Sequence, residues 1–180
     1  MIERLYHGGI NLFEDIDVLK GKGFKDFGQG FYTTATKEHA IRLAKRNKRI
    51  EEERLKRIGV KSKNINTYLY EYDFNMSLLK QYHSKVFTEA DREWVLFVLE
   101  NRGCRTKVHN YDIVNGPTAD DNTRITFNTY RLGGYGDPKS DKAINILIDF
   151  LEPDNLPLQI YFGSNEEIKE LVFKGVNKII

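Results

Sequence analysis

Cysteine is nearly absent: Cys104 is the only one in 180 residues, which excludes an intramolecular disulfide and fits a reducing cytoplasm. Long apolar runs are missing too. No stretch approaches the roughly 18 residues that a membrane-spanning helix needs. No N-terminal segment combines a basic start, an apolar middle and a small-residue cleavage site. The expectation is a cytoplasmic protein with no membrane partner. An effector delivered into a target cell by a dedicated machine would lack the same features. An excess of charge is also lacking, since a net +2 is too small to call for nucleic acid by itself. Repeats and low-complexity linkers do not occur. His39, His83 and His109 show no metal-ligand spacing, and one cysteine cannot complete a zinc site.

What is present is an ordinary globular composition, 40% hydrophobic and 30% charged, at a length that fits one domain over residues 1–180. Short strands alternate with helices. Glu3 to His7 reads as a strand, and Phe31 to Thr34 as a second, entered through a loop carrying Gly28 and Gly30. Thr36 is a helix N-cap before Lys37 to about Ile58, with Gly59 as the stop. Residues 66–74 alternate as a strand, with Tyr68, Tyr70 and Tyr72 on one face. Thr88 to Asp91 caps a helix carrying Trp94, Phe97 and Val98 that stops near Gly103. Tyr111 to Val114 reads as a buried strand ending at Gly116-Pro117, Lys139 to Leu151 as a helix, and Leu158 to Phe162 as a strand followed by a helix over Glu166 to Phe173. The fold class is α+β. The Lys37–Lys63 region is basic enough to touch RNA, DNA or an acidic protein, or it is a solvated helix face with Glu51, Glu52 and Glu53 as internal partners.

Two segments carry chemistry. Tyr6-His7-Gly8-Gly9 sets a histidine before a bare backbone, and Asp26-Phe27-Gly28-Gln29-Gly30-Phe31-Tyr32-Thr33-Thr34 delivers a tyrosine from a glycine-flanked loop. Glycines let a backbone approach a ligand closely, and an aromatic face suits a flat cationic ring. Nicotinamide in NAD is such a ring. The spacing is not the G-x-G-x-x-G of a redox dinucleotide fold, so NAD would be a substrate.

His7-Gly8 followed by Gly30-Phe31-Tyr32 resembles the first two parts of the His-Tyr-Glu signature of diphtheria-toxin-like and poly(ADP-ribose)-polymerase-like ADP-ribosyltransferases. A branch of small bacterial proteins of unknown function is more similar still. It shares the Tyr-His-Gly start, the Asp-Phe-Gly-x-Gly-Phe-Tyr loop, the helix running from Trp94 to Asn101-Arg102, the segment Gly116 to Asp121, and the strand opening Gln159-Ile160. The likeness spans about residues 5–173. It implies an ADP-ribosyltransferase fold of two small packed sheets with NAD between them. It also implies that His7 bonds a ribose hydroxyl, that the Gly8 backbone holds the carboxamide, and that Tyr32 stacks on nicotinamide beside Phe31. The place of a second stacking aromatic falls near Leu43, an apolar wall without a π face.

The residue that opens the late strand in the His-Tyr-Glu type is a glutamate, and here it is Gln159. An amide can hold the same ribose hydroxyl but carries no charge and cannot act as a base. Asp120 and Asp121 are the candidates for a helping carboxylate, or they form a solvated Asx turn. Three activities follow from the resemblance. One is mono-ADP-ribosylation of a macromolecular acceptor, protein or nucleic acid, as by a toxin paired with an antitoxin protein or by an effector. The others are a binding module for NAD or ADP-ribose without turnover, and NAD hydrolysis.

Overall fold

A computed structural model describes residues 1–21, 23–60, 64–119, 121–151 and 156–179, and within these not the side chains at 121, 122 and 124. The architecture is α+β. Strands β1 (Ile2–Gly9), β3 (Thr67–Asn75) and β7 (Val172–Ile179) form one antiparallel sheet in the order β1-β3-β7. Strands β2 (Phe31–Thr33), β6 (Leu158–Phe162), β5 (Ile113–Pro117) and β4 (Ser84–Val86) form the second in the order β2-β6-β5-β4, parallel only between β4 and β5. The helices are α1 (Lys37–Arg57), α2 (Arg92–Gly103), α3 (Asp121–Arg131), α4 (Asp141–Leu151) and the short α5 (Asn165–Ile168).

Strand alternation sorts these into layers. Leu5, Tyr70, Tyr72 and Phe74 from the first sheet meet Phe31, Ile113, Ile160 and Phe162 from the second in one apolar core. The intervening residues of the second sheet, Val114 and Tyr161, face a second core built with Trp94, Val95 and Val98 of α2, Phe127 of α3 and Leu147 of α4. Helix α1 covers the outer face of β1 and β3, with Ala40 and Ala44 set against Gly8.

Local signals explain most boundaries. Asp91 caps α2 by accepting from Trp94 N, and Trp94 donates its indole N–H to Pro117 O at 2.9 Å. Ser164 and Glu167 form a reciprocal capping box at α5. Two segments depart from the sequence expectation. The helix expected over Glu166 to Phe173 ends at Ile168, and Val172 and Phe173 belong to β7. This edge strand leaves both of its faces largely exposed, so burial never imposed a readable alternation. The stretch holding Asp121 is the start of α3 rather than an isolated turn. Its Asn- and Thr-rich sequence has low helix propensity, yet Thr123, Phe127 and Tyr130 recur on one face and are buried, so packing overrides propensity. Asp120 lies outside the described residues.

Candidate functional site

The two sheets join at one corner. Tyr6 and Thr34 exchange backbone hydrogen bonds of 2.8 and 2.9 Å, and beyond this bridge β1 and β2 part. The imidazole of His7 stands in the gap, donating from Nδ1 to the Tyr32 carbonyl at 2.8 Å. It stacks on Phe31 with centroids 4.5 Å apart and meets Phe13 and Tyr70 edge-on. Burial among these rings pushes its pKa down to about 4, so the ring is neutral near pH 7. With Nδ1 as donor, Nε2 is an acceptor, and no described residue bonds it. A side chain at Gly9 would press on this nitrogen, its Cβ 3.3 Å away.

Gly8 is required by packing. A Cβ there would lie 1.8 Å from the Ala40 carbonyl oxygen, so only glycine lets α1 seat on the sheet. Successive residues of a strand turn their N–H and C=O to opposite edges. Tyr6 gives both to Thr34, so Gly8 turns its pair toward the same edge, where the strands have separated. The sequence motif therefore yields a packing contact on one side of the residue and, at the edge facing the split, a backbone donor and acceptor that no described residue bonds.

Tyr32 lies on β2 opposite Tyr161, and the two rings meet edge to face at 5.2 Å. Its hydroxyl donates to Gly28 O at 2.6 Å and accepts from Phe27 N at 3.1 Å, and burial pushes the phenol pKa well up. The loop folds over the ring because Gly28 takes φ +87° and because a Cβ at Gly30 would strike the Tyr161 ring at 2.2 Å. The Lys25 ammonium stands 4.6 Å from the Tyr32 ring centre. Phe31, next in the chain, points the other way into the core between the sheets. Leu43 is half-buried on α1, the helix that covers β1 and β3.

Gln159 shares its face with Tyr161 and hence with Tyr32. Strand spacings put its Cα about 8 Å from that of Tyr32. Its Nε2 donates to Asp26 Oδ2 at 3.0 Å, which fixes the amide orientation, since a carboxylate can only accept. Oε1 is then the atom left without a bond to any described residue.

Asp26 is the hub that sequence reasoning missed. It is 5% exposed, and every polar neighbour donates to it. Arg102 Nε reaches Oδ1 at 2.6 Å, while Ala119 N at 2.8 Å, Thr118 Oγ1 at 3.3 Å and Gln159 Nε2 converge on Oδ2. Arg102 also donates to Ala119 O at 2.6 Å and lies over the Phe127 ring. Four of the five motifs thus meet at one buried carboxylate: the Asp-Phe-Gly loop, the Asn-Arg helix end, the Gly-Pro-Thr-Ala segment and the Gln-Ile strand. His109 closes the same region, donating from Nε2 to Phe27 O at 2.9 Å while Nδ1 accepts from Tyr111 N.

The chain belongs to the family described as "Protein of unknown function (DUF3990)", whose model matches residues 3–173. No curated protein matches it.

Proposed function

We propose that this protein is an NAD-dependent mono-ADP-ribosyltransferase with an ADP-ribosyltransferase-type fold. The reading is supported by the hydrogen bond from His7 to the Tyr32 carbonyl where β1 and β2 part, and by Gln159 on the strand beside β2, on the face that Tyr32 shares. In this reading the Gly8 N–H and C=O pair with the nicotinamide carboxamide and Tyr32 offers its ring to the nicotinamide. His7 Nε2 accepts from a ribose hydroxyl. Gln159 Oε1 accepts from another, held in that role by Asp26. The bond from ribose C1 to the nicotinamide nitrogen breaks with its electron pair leaving on neutral nicotinamide. A lone pair of the acceptor forms the new bond at C1, and the acceptor's proton passes to solvent. The developing cation on the sugar faces the Gln159 carbonyl dipole rather than a bare carboxylate, because Arg102 offsets the Asp26 charge.

One observation favours a second reading. Lys25 already sets a cation over Tyr32, where a nicotinamide ring would bring another, and this suits a module that binds ADP-ribose, which lacks that ring, without turnover. Hydrolysis, with water as acceptor, uses the same groups. A toxin role with an antitoxin partner belongs to the transferase reading, and growth arrest on expression that is lost in Gln159→Ala is its cellular test. Incubation of the protein with labelled NAD and cell lysate, followed by protease or nuclease, separates the readings. Label removed by one of the two supports transfer to that class of acceptor. Free ADP-ribose alone indicates hydrolysis, and intact NAD indicates a binder.

A further inference from the structure

Lys25 stands immediately before the Asp26-Phe27-Gly28 turn, and its ammonium lies over the ring of Tyr32, 4.6 Å from the centre. The same charge reaches His7 across the split: burial does most to lower the His7 pKa, and the Lys25 charge adds to the lowering. One group on β1 and one on β2 therefore feel the same cation. The backbone that carries it is held from both sides. Phe24, just before it, takes φ +60°, the only positive φ of a non-glycine among the described residues. That conformation is unfavourable for a bulky side chain and persists only where the surroundings impose it. Here Phe24 N donates to Cys104 O at 3.0 Å. Gly23 lies so close to Arg105 that a Cβ would stand 1.8 Å from its carbonyl oxygen. The Phe24 ring is 60% exposed, so these backbone contacts fix the turn and burial of the ring does not. After it, Lys25 O accepts from Gly28 N at 3.1 Å, and Asp26 enters its buried hub.

With its Cα anchored and a flexible four-carbon stem, the ammonium can draw back from the Tyr32 ring but stays beside it. A ring entering over Tyr32 therefore meets a positive charge at short range. Two unit charges about 4 Å apart repel far more where water is scarce than in bulk water. The cationic ring of NAD suffers that repulsion, and neutral nicotinamide does not. When the bond from ribose C1 to the ring nitrogen breaks, both electrons stay with the ring, and its positive charge passes to the sugar at the Gln159 carbonyl dipole. The acceptor closes the reaction with a lone pair at C1 and loses its proton to solvent, while Lys25 keeps its own proton throughout. Repulsion present in bound NAD is thus relieved as the bond stretches, which lowers the barrier from the bound state.

We propose that Lys25 sets the charge preference of the Tyr32 site: it disfavours the cationic nicotinamide of NAD, favours the neutral leaving group, and so promotes cleavage of the bond between them. The role in cleavage rests on the transferase reading, whereas the charge preference does not.

Two ring probes isolate the charge. Nicotinamide is neutral, and 1-methylnicotinamide is a cation of nearly the same shape, its methyl standing where ribose C1 would be. In amide NMR titrations of the full chain, nicotinamide should bind at least about tenfold more tightly than the cation. Lys25→Met keeps an unbranched stem without the charge and should bring the two affinities within about twofold. Lys25→Arg keeps the charge and should retain the preference. Turnover is read as nicotinamide released from NAD with a fixed amount of cell lysate present. There Lys25→Met should lower kcat about tenfold or more and lower KM as well, the signature of lost ground-state repulsion. A merely structural role would lower kcat without tightening NAD. A wild type that binds both rings equally, or a Lys25→Met protein that keeps the preference, would overturn the proposal. So would a failure of either ring to move the Gly8 and Tyr32 amides. Nicotinamide release with the same kcat and KM in Lys25→Met leaves the transferase and removes the role of Lys25 in cleavage. A Lys25-dependent preference in a protein that releases no nicotinamide removes the transferase and leaves the charge preference standing.

Discussion

The two faces of the β2-β6-β5-β4 sheet make different use of adjacent residues. On one face Phe31, Ile160 and Phe162 are packed into a largely apolar core against the first sheet. On the other, one residue along each strand, Tyr32, Gln159 and Tyr161 meet a buried carboxylate and the glycine loop. The apolar face is interchangeable in kind, because one hydrocarbon side chain can replace another of similar volume. The polar face is not, because a buried donor or acceptor that loses its partner there pays the full cost of desolvation. Stability on the first face is a matter of volume, and on the second of pairing.

Breaking the pairing should have the largest effect. Asp26→Ala strands Arg102 and removes the acceptor of three further donors, and loss of one partner of a buried ion pair costs about 3–5 kcal/mol. Equilibrium urea unfolding measures it. Arg102→Ala should cost a comparable amount, and the two losses should not add, since either one dissolves the same pair.

A slightly smaller effect is expected from His7 through pH. Its folded pKa of about 4 lies below the ordinary 6.5, so the unfolded chain binds the proton first. The stability that His7 contributes is complete above pH 6.5 and is lost as pH falls toward 4. Between pH 7 and pH 4.5 this amounts to about 2–3 kcal/mol. Comparison of the wild type with His7→Asn over that range isolates it. An equal pH dependence in both proteins would mean that the ring is not buried neutral.

Gly8→Ala sharpens the contrast from the α1 side. The added methyl meets a backbone carbonyl rather than a flexible side chain, so the helix must shift, at about 1–3 kcal/mol for such overpacking. The measurable sign is a lowered melting temperature with shifted resonances along α1.

The smallest change is the most diagnostic. Gln159→Glu swaps the donor that faces Asp26 for a second carboxylate, with only one guanidinium to serve both. Like charges at this distance raise the pKa of the new group, so its cost is present above its raised pKa and disappears as pH falls below the ordinary range near 4. At neutral pH a loss of about 1–2 kcal/mol is expected, on the scale of one buried hydrogen bond reversed. A Gln159→Glu variant as stable as the wild type at both pH 7 and pH 4 would show that the Asp26 contact is not formed.

The sequence made the apolar face easier to read than the polar one. Alternation in residues 66–74 marked β3 correctly because Tyr70, Tyr72 and Phe74 are buried in turn; the Asp91 cap of α2 and the Gly59 stop after α1 were local, while Thr36 stands at the start of α1 without a side-chain cap bond. The edge strand β7 and helix α3 escaped because exposure weakens one pattern and Asn/Thr content masks the other. His7 and Tyr32 could be named from their glycine neighbours, and their contact follows from the adjacent strands. Asp26 could not be assigned, because its partners lie 76, 92, 93 and 133 residues away in the chain, and nothing local distinguishes a hub carboxylate from a turn residue.

The central claim is that the open edge between β1 and β2 receives NAD. Titration of NAD into isotopically labelled protein, followed by amide NMR, tests it most directly. The account expects the backbone amides of Gly8, Gly9 and Tyr32 and the side-chain amide of Gln159 to shift together with one dissociation constant, and Tyr32→Ala to weaken that constant by roughly 1–2 kcal/mol. Shifts confined to another region, or saturating NAD that leaves these four groups unmoved, would contradict it.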